Sequence, residues 1–243
     1  MKSFWLAKNN TKKLIIFFSG WAMDETPFKY LFSREHDVLI FYDYSDFFID
    51  KSLIDKINSY KEIVIISWSM GVYVGSQVAK HFNKAKKAIA INGTLMPLDN
   101  VCGIPLKIVD LTLNITLKVL SEKNIGSFYK NIFYENSDFK KFLKTRPQRN
   151  ICNQKEELEK IKEYYQRSKE ILINSGDQQT ILTRSIENIY DFAIIGLKDR
   201  VFLAKNQKNA WQNTKTNIIL IDQAHHPFYI WKNWEDIINL CNL

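Results

Sequence analysis

Six short runs of apolar, β-branched and aromatic residues recur along the chain: KLIIFFS (13–19), VLIFY (38–42), EIVIIS (62–67), KAIAIN (87–92), FAIIGL (192–197) and NIILID (217–222). They are continuous rather than alternating. Strands apolar on both faces belong in a parallel sheet covered by helices on each side. Residues 3–6 predict a further edge strand. Helical spacing is found at 72–82, 105–120, 154–173, 205–211 and 228–240. Strands alternating with helices predict an α/β fold with a mostly parallel sheet flanked by helices. The alternation breaks from about residue 98 to 190, where helices and loops follow one another without a convincing strand. This stretch reads as a helical cap inserted within a single domain spanning residues 1–243.

Composition narrows the class. A chain of 243 residues, 46% apolar and 25% charged, is large enough for one substantial core and is not a disordered segment. No apolar run approaches the roughly 20 residues needed to cross a bilayer. Residues 1–10 lack the apolar centre of a secretion signal, so a cytoplasmic location and no membrane partner are expected. Cys102, Cys152 and Cys241 are odd in number and far apart, which speaks against a disulfide framework or a C-x-x-C site. Glycine is scarce, with only 8, yet Gly20, Gly71, Gly93 and Gly196 all stand at or just beyond the carboxyl end of a predicted strand. That edge of an open α/β sheet is where ligands bind.

The chemistry gathers at the same edge. Ser67-Trp68-Ser69-Met70-Gly71 follows the strand EIVIIS and precedes a helix, the setting of a nucleophile elbow with Ser69 at its apex. Ser67 replaces the usual first glycine and is small enough for the turn. The competing reading is that Ser69 caps the following helix and Gly71 and Gly75 merely allow close packing. A serine nucleophile needs a base and a group to orient it. Asp199 lies in the turn after FAIIGL and His225 in the turn after NIILID. Ser69, Asp199 and His225 thus stand in the Ser, Asp, His order of the α/β-hydrolase fold. His226 competes with its neighbour, but Pro227 restricts it to extended backbone, and His225 is the favoured base. An oxyanion needs two backbone donors. Met70 supplies one from the elbow, and Trp21, in the loop after KLIIFFS, is the candidate for the other, with its indole available to line an acyl pocket. His36 and His81 have no metal-ligand spacing, so neither a metal nor a cofactor is implied.

Together these residues carry a resemblance. The loop Ser19-Gly-Trp-Ala-Met-Asp, the elbow, the segment Ile91-Asn-Gly-Thr-Leu-Met-Pro with Gly103-Ile-Pro, the turn Lys198-Asp-Arg-Val-Phe and the final Ala224-His-His-Pro-Phe resemble the BioG family of pimeloyl-ACP methyl ester esterases of biotin synthesis, from about residue 14 to 231. The related BioH esterases share the Gly-Trp loop and a terminal Ala-His-x-Pro-Phe, which matches Ala224, His225, Pro227 and Phe228 and favours His225 over His226. The resemblance implies hydrolysis of the methyl ester masking the far carboxyl of a pimeloyl chain on acyl carrier protein, with methanol leaving and the carrier thioester spared.

Such a partner gives the net charge of +8 a physical reading. More than half of the excess falls in residues 101–150, which hold 9 basic and 4 acidic side chains. Acyl carrier proteins are acidic, and positive side chains near the entrance would speed encounter. Lys140, Lys141, Lys144, Arg146 and Arg149 are the candidate docking cluster; ordinary surface solvation explains the same lysines without a partner. No helix-turn-helix, zinc-finger or RNA-binding signature accompanies the charge, so no nucleic-acid partner is expected. The chain is expected to act as a monomer. Rival readings are a general carboxylesterase or acyl-thioesterase with the same triad, and a non-catalytic binding scaffold.

Overall fold

The computed structural model describes residues 1–116, 122–173 and 187–242. Seven strands among them form one sheet: β1 (Lys2–Ala7), β2 (Lys13–Phe18), β3 (Asp37–Tyr42), β4 (Glu62–Trp68), β5 (Ala85–Ile91), β6 (Phe192–Gly196) and β7 (Asn217–Ile221), in the order β1-β3-β2-β4-β5-β6-β7. Only β1 runs antiparallel, against β3; every other pairing is parallel. The central strands β2, β3 and β4 are buried along nearly their whole length, as continuous apolar runs require. The two edge strands differ: β1 has no buried residue, and Ile218 and Leu220 of β7 are exposed, since each of these strands pairs with a neighbour on one side only.

Among the described residues the α-helices are α1 (Lys51–Asn58), α2 (Met70–Val78), α3 (Leu106–Leu111), α4 (Glu122–Asn131), α5 (Asn136–Lys144), α6 (Ile151–Ile173), α7 (Ala204–Trp211) and α8 (Trp234–Leu240). Four of them, α3 to α6, lie between β5 and β6, where the sequence breaks its alternation. The expected helix 105–120 is α3 followed by a π-helical segment, Thr112–Thr116. Its last residues, and residues 174–186 of the insertion, lie outside the described residues. The expected helix 228–240 is two pieces, a 3-10 turn at Phe228–Ile230 and then α8. The cause is local: Asn233 is extended and accepts from Asp236 N, while the Asp236 side chain accepts from Asn233 N, a reciprocal capping box that starts a new helix. No helix among the described residues is long and apolar enough to cross a membrane.

Parallel pairing places the ends of β2, β3, β4, β5, β6 and β7 along one edge, and the backbone there is unusual. Four of the five non-glycine residues with positive φ among those described stand just past these ends: Ala22 (67°) after β2, Asp43 (59°) after β3, Ser69 (60°) after β4 and Asn92 (46°) after β5. Left-handed backbone costs a side-chain-bearing residue about 1–3 kcal/mol and persists only where surrounding contacts hold it.

Candidate active site

The elbow is built by close approach. Ser69 (φ 60°, ψ −128°) stands between β4 and α2, and a Cβ added at Gly71 would sit 2.4 Å from the backbone oxygens of Phe18 and Ser19. Only glycine lets α2 start against β2 in this way. Ser67 is fully buried, and its small side chain faces Gly75, where a Cβ would meet its Oγ at 2.7 Å.

Ser69 occupies the N-cap position of α2, yet its side chain makes no capping bond. Its Oγ lies 2.9 Å from His225 Nε2 instead, and His225 Nδ1 lies 2.9 Å from Asp199 Oδ2. All three residues are buried. The two Asp199 oxygens divide between its own turn and the histidine. Oδ1 accepts from the N–H groups of Val201 (2.8 Å) and Phe202 (2.9 Å), while Oδ2 faces His225 and also accepts from Gln207 Nε2 (3.0 Å). The carboxylate is therefore fixed by the turn that it forms. The His225 ring stacks on Phe202, with centroids 6.0 Å apart, and packs against Trp68 at 5.2 Å.

His226 faces away from Ser69. Its backbone N–H donates to Ile132 O in the insertion (3.0 Å), and its ring sits among Phe28, Phe133, Phe142, Phe228 and Tyr229. Neither ring nitrogen has a hydrogen-bond partner among the described residues. Burial, with some repulsion from His225, pushes its pKa down to about 3, so the imidazole is neutral at pH 7.

Three residues outside the expected set hold this arrangement. Asn92 Nδ2 donates to the carbonyls of Ala224 (2.9 Å) and His225 (3.0 Å), and its Oδ1 accepts from Gly196 N (2.6 Å), which locks the ends of β5 and β6 to the histidine turn. Trp68 Nε1 donates to His225 O (2.7 Å). Gln207, on α7, steadies Asp199. In the sequence Asn92 is marked as the polar residue ending the apolar run KAIAIN and by its place in the segment Ile91-Asn-Gly-Thr-Leu-Met-Pro.

Ser69 opens into a cavity of about 340 Å³ that Trp21 and Met70 also line. Met70 begins α2, so its N–H has no partner within the helix. The cavity wall is mainly apolar, with Ile104, Ile108, Val109 and Leu111 from one part of the insertion, Phe128 from α4 and Leu158 from α6. The exposed Arg200 is also in its lining. The Trp21 indole packs on Phe128 at 4.7 Å and donates from Nε1 to Gln154 O (2.6 Å), so it joins the loop after β2 to the insertion. The expected basic cluster divides. Lys140, Lys141 and Lys144 on α5, and Arg146 after it, are exposed, with Lys141 paired to Asp138 (2.8 Å). Arg149 is a correction: its side chain is only 6% exposed and ion-paired to Asp43 (2.9 Å) and Glu157 (2.6 Å), since two carboxylates inside the protein hold it there.

Residues 1–237 match the family described as pimeloyl-ACP methyl esterase BioG. The chain belongs to the BioG family. The BioG crystal structure from Haemophilus influenzae superposes with a TM-score of 0.79 at 27% identity, over 97% of this chain and 99% of that one. A malonyl-[acyl-carrier protein] O-methyltransferase of Bacteroides fragilis is 37% identical over 91% of this chain, which spans only 41% of that protein's length. A structure from work on carboxylesterases of Nitrososphaera gargenis aligns over 99% of this chain and 93% of its own, with a TM-score of 0.57 at 14% identity, a likeness of fold. The BioG-family chain thus has the α/β-hydrolase fold expected from its strand order and elbow.

Proposed function

We propose that this BioG-family enzyme is a serine carboxylesterase that hydrolyses the methyl ester of pimeloyl-acyl carrier protein. The observation that carries the reading is the relay Ser69 Oγ, His225 Nε2, His225 Nδ1, Asp199 Oδ2, with 2.9 Å at each contact, at one end of an apolar cavity. Ser69 Oγ attacks the ester carbonyl as His225 Nε2 takes its proton. Asp199 orients the ring and stabilises its charged form. The tetrahedral oxyanion receives the N–H groups of Met70 and Trp21. Collapse expels methoxide, which leaves as methanol with the proton held by His225. Water, deprotonated by the same ring, then splits the pimeloyl–Ser69 ester and regenerates the serine.

The apolar wall suits a chain of methylenes, and the family match favours the pimeloyl ester. The Bacteroides fragilis relative, of which this chain spans 41%, is named for placing a methyl group on an acyl-carrier substrate, which supports a carrier-borne methyl ester as the group handled here. Lys140, Lys141, Lys144 and Arg146 remain the proposed docking residues for the acidic carrier, as a monomer would present them.

The test is incubation of the protein with pimeloyl-acyl carrier protein methyl ester, followed by mass spectrometry of the carrier, with Ser69→Ala as control. A loss equal to one methylene, absent in the variant, supports the reading. Loss of the whole acyl chain would make the enzyme a thioesterase, and an unchanged carrier would remove this substrate.

A further inference from the structure

One carboxylate in the insertion touches both strained loops beside the site. Glu157, on α6, is fully buried, and its two oxygens accept from different loops. Oε2 accepts from Ala22 N (3.1 Å), next to Trp21 in the loop after β2, and Oε1 accepts from Tyr44 N (3.0 Å) in the loop after β3. Arg149 closes the cluster: Nη1 donates to Glu157 Oε2 (2.6 Å) and to Met23 O (3.2 Å), and Nη2 pairs with Asp43 Oδ1 (2.9 Å). Ala22 and Asp43 are the two left-handed residues of these loops. Tyr129 Oη adds a bond to Ala22 O (3.2 Å).

The cost of this arrangement marks it as more than packing. Burial raises the Glu157 pKa, and Arg149 and the two backbone N–H groups act against that rise. Burial also opposes the Arg149 charge, and Glu157 and Asp43 overcome it and hold its pKa above the usual value. A buried ion pair is a poor source of stability compared with apolar residues of the same volume. What it supplies is direction, because a carboxylate with two acceptor oxygens fixes two backbone N–H groups at once.

We propose that Glu157, with Arg149 as its counter-ion, is a positioning residue for the oxyanion loop. Resting on the serine-esterase reading above, it holds Ala22 in its left-handed conformation so that the neighbouring Trp21 N–H points at the reacting carbonyl. The helical insertion then sets transition-state geometry as well as enclosing the acyl chain. Both loops are tied to α6, so movement of the insertion would be felt at the oxyanion site.

The test compares wild type, Glu157→Gln and Tyr129→Phe on p-nitrophenyl butyrate, well below each variant's Tm, with Ser69→Ala as the blank. Removing an oxyanion donor outright costs about 10²–10³ in kcat; misaiming one through Glu157→Gln is expected to cost roughly 10–100-fold in kcat, with KM changed less than about threefold. Tyr129→Phe, which keeps the ion pair and deletes the bond to Ala22 O together with the one Tyr129 Oη accepts from Gln154 Nε2 (3.3 Å), is expected to show the same split at about two- to fivefold. It gives the reading if Glu157→Gln does not fold. Glu157→Asp, keeping the charge, should recover part of the loss. Unchanged kcat in the folded variants, or a loss confined to KM, would overturn the proposal. Wild type without Ser69-dependent turnover would instead remove the esterase reading on which it rests.

Discussion

His225 and His226 are adjacent, yet they face two regions of opposite character. His225 turns to the sheet edge, where Ser69 and Asp199 bond both of its ring nitrogens. His226 turns to the insertion, where aromatic rings surround it and its nitrogens lack partners among the described residues. One ring is placed to exchange a proton; the other is kept neutral by burial. The difference shows that the sheet edge positions chemistry through polar contacts made past strand ends, whereas this part of the insertion supplies mostly apolar bulk. Glu157 and Arg149, with Tyr129 and Gln154 beside them, are where another part of the insertion departs from that division.

The sharpest way to break the contrast is to remove the nucleophile. Ser69→Ala should lower kcat on a soluble ester by as much as ~10⁶, since nucleophile and base act as a unit; steady-state rates on purified protein measure it, and residual activity within tenfold of wild type would end the triad assignment. Asp199→Asn comes next. Loss of the carboxylate charge and of tautomer control should cost roughly 10⁴ in kcat with little change in KM, checked by the same assay.

The insertion side is tested through stability. An unfolded chain protonates His226 near its ordinary value of 6.5, whereas the folded protein resists protonation until about pH 3. Between those limits the unfolded state binds more protons, so stability falls as pH falls, by up to about 1.4 kcal/mol per pH unit from this residue, a factor of ten in the folding equilibrium. In His226→Leu the acid limb of stability against pH should flatten while esterase activity stays within a few-fold of wild type. Denaturant midpoints from pH 4 to 7 read this out; parallel profiles would show that His226 is not held neutral. The smallest expected effect is at the surface. Replacing Lys140, Lys141, Lys144 and Arg146 by Gln should raise KM for the carrier substrate several-fold, more at low salt, and leave a short ester untouched. Equal loss on both substrates would argue against docking there.

Most of the sheet was legible because buried parallel strands are written as unbroken apolar runs, and the candidate site because Ser69, Asp199 and His225 each follow such a run. Three helices were not. α1 and α5 bury only Ile57 and Phe142, and α4 carries Gly126 and Asn124 in its interior; their order comes from a few side chains packed on the rest of the protein, such as Phe142 against Tyr129 and Phe133. The supports of the site were hidden for another reason. Asn92 bonds His225 across 133 positions and Glu157 bonds Ala22 across 135, so their roles exist only once the strands are aligned. Arg149 was misread for the same reason: its charge is plain in the chain, but its two carboxylate partners lie 106 residues before it in Asp43 and on α6 in Glu157.

The most direct measurement of the central claim is covalent labelling by a fluorophosphonate, with the modified peptide located by mass spectrometry in wild type, His225→Gln and His226→Leu. The account predicts one adduct, on Ser69, formed at near wild-type rate in His226→Leu and slowed by orders of magnitude in His225→Gln. Labelling elsewhere, or dependence on His226 rather than His225, would contradict it.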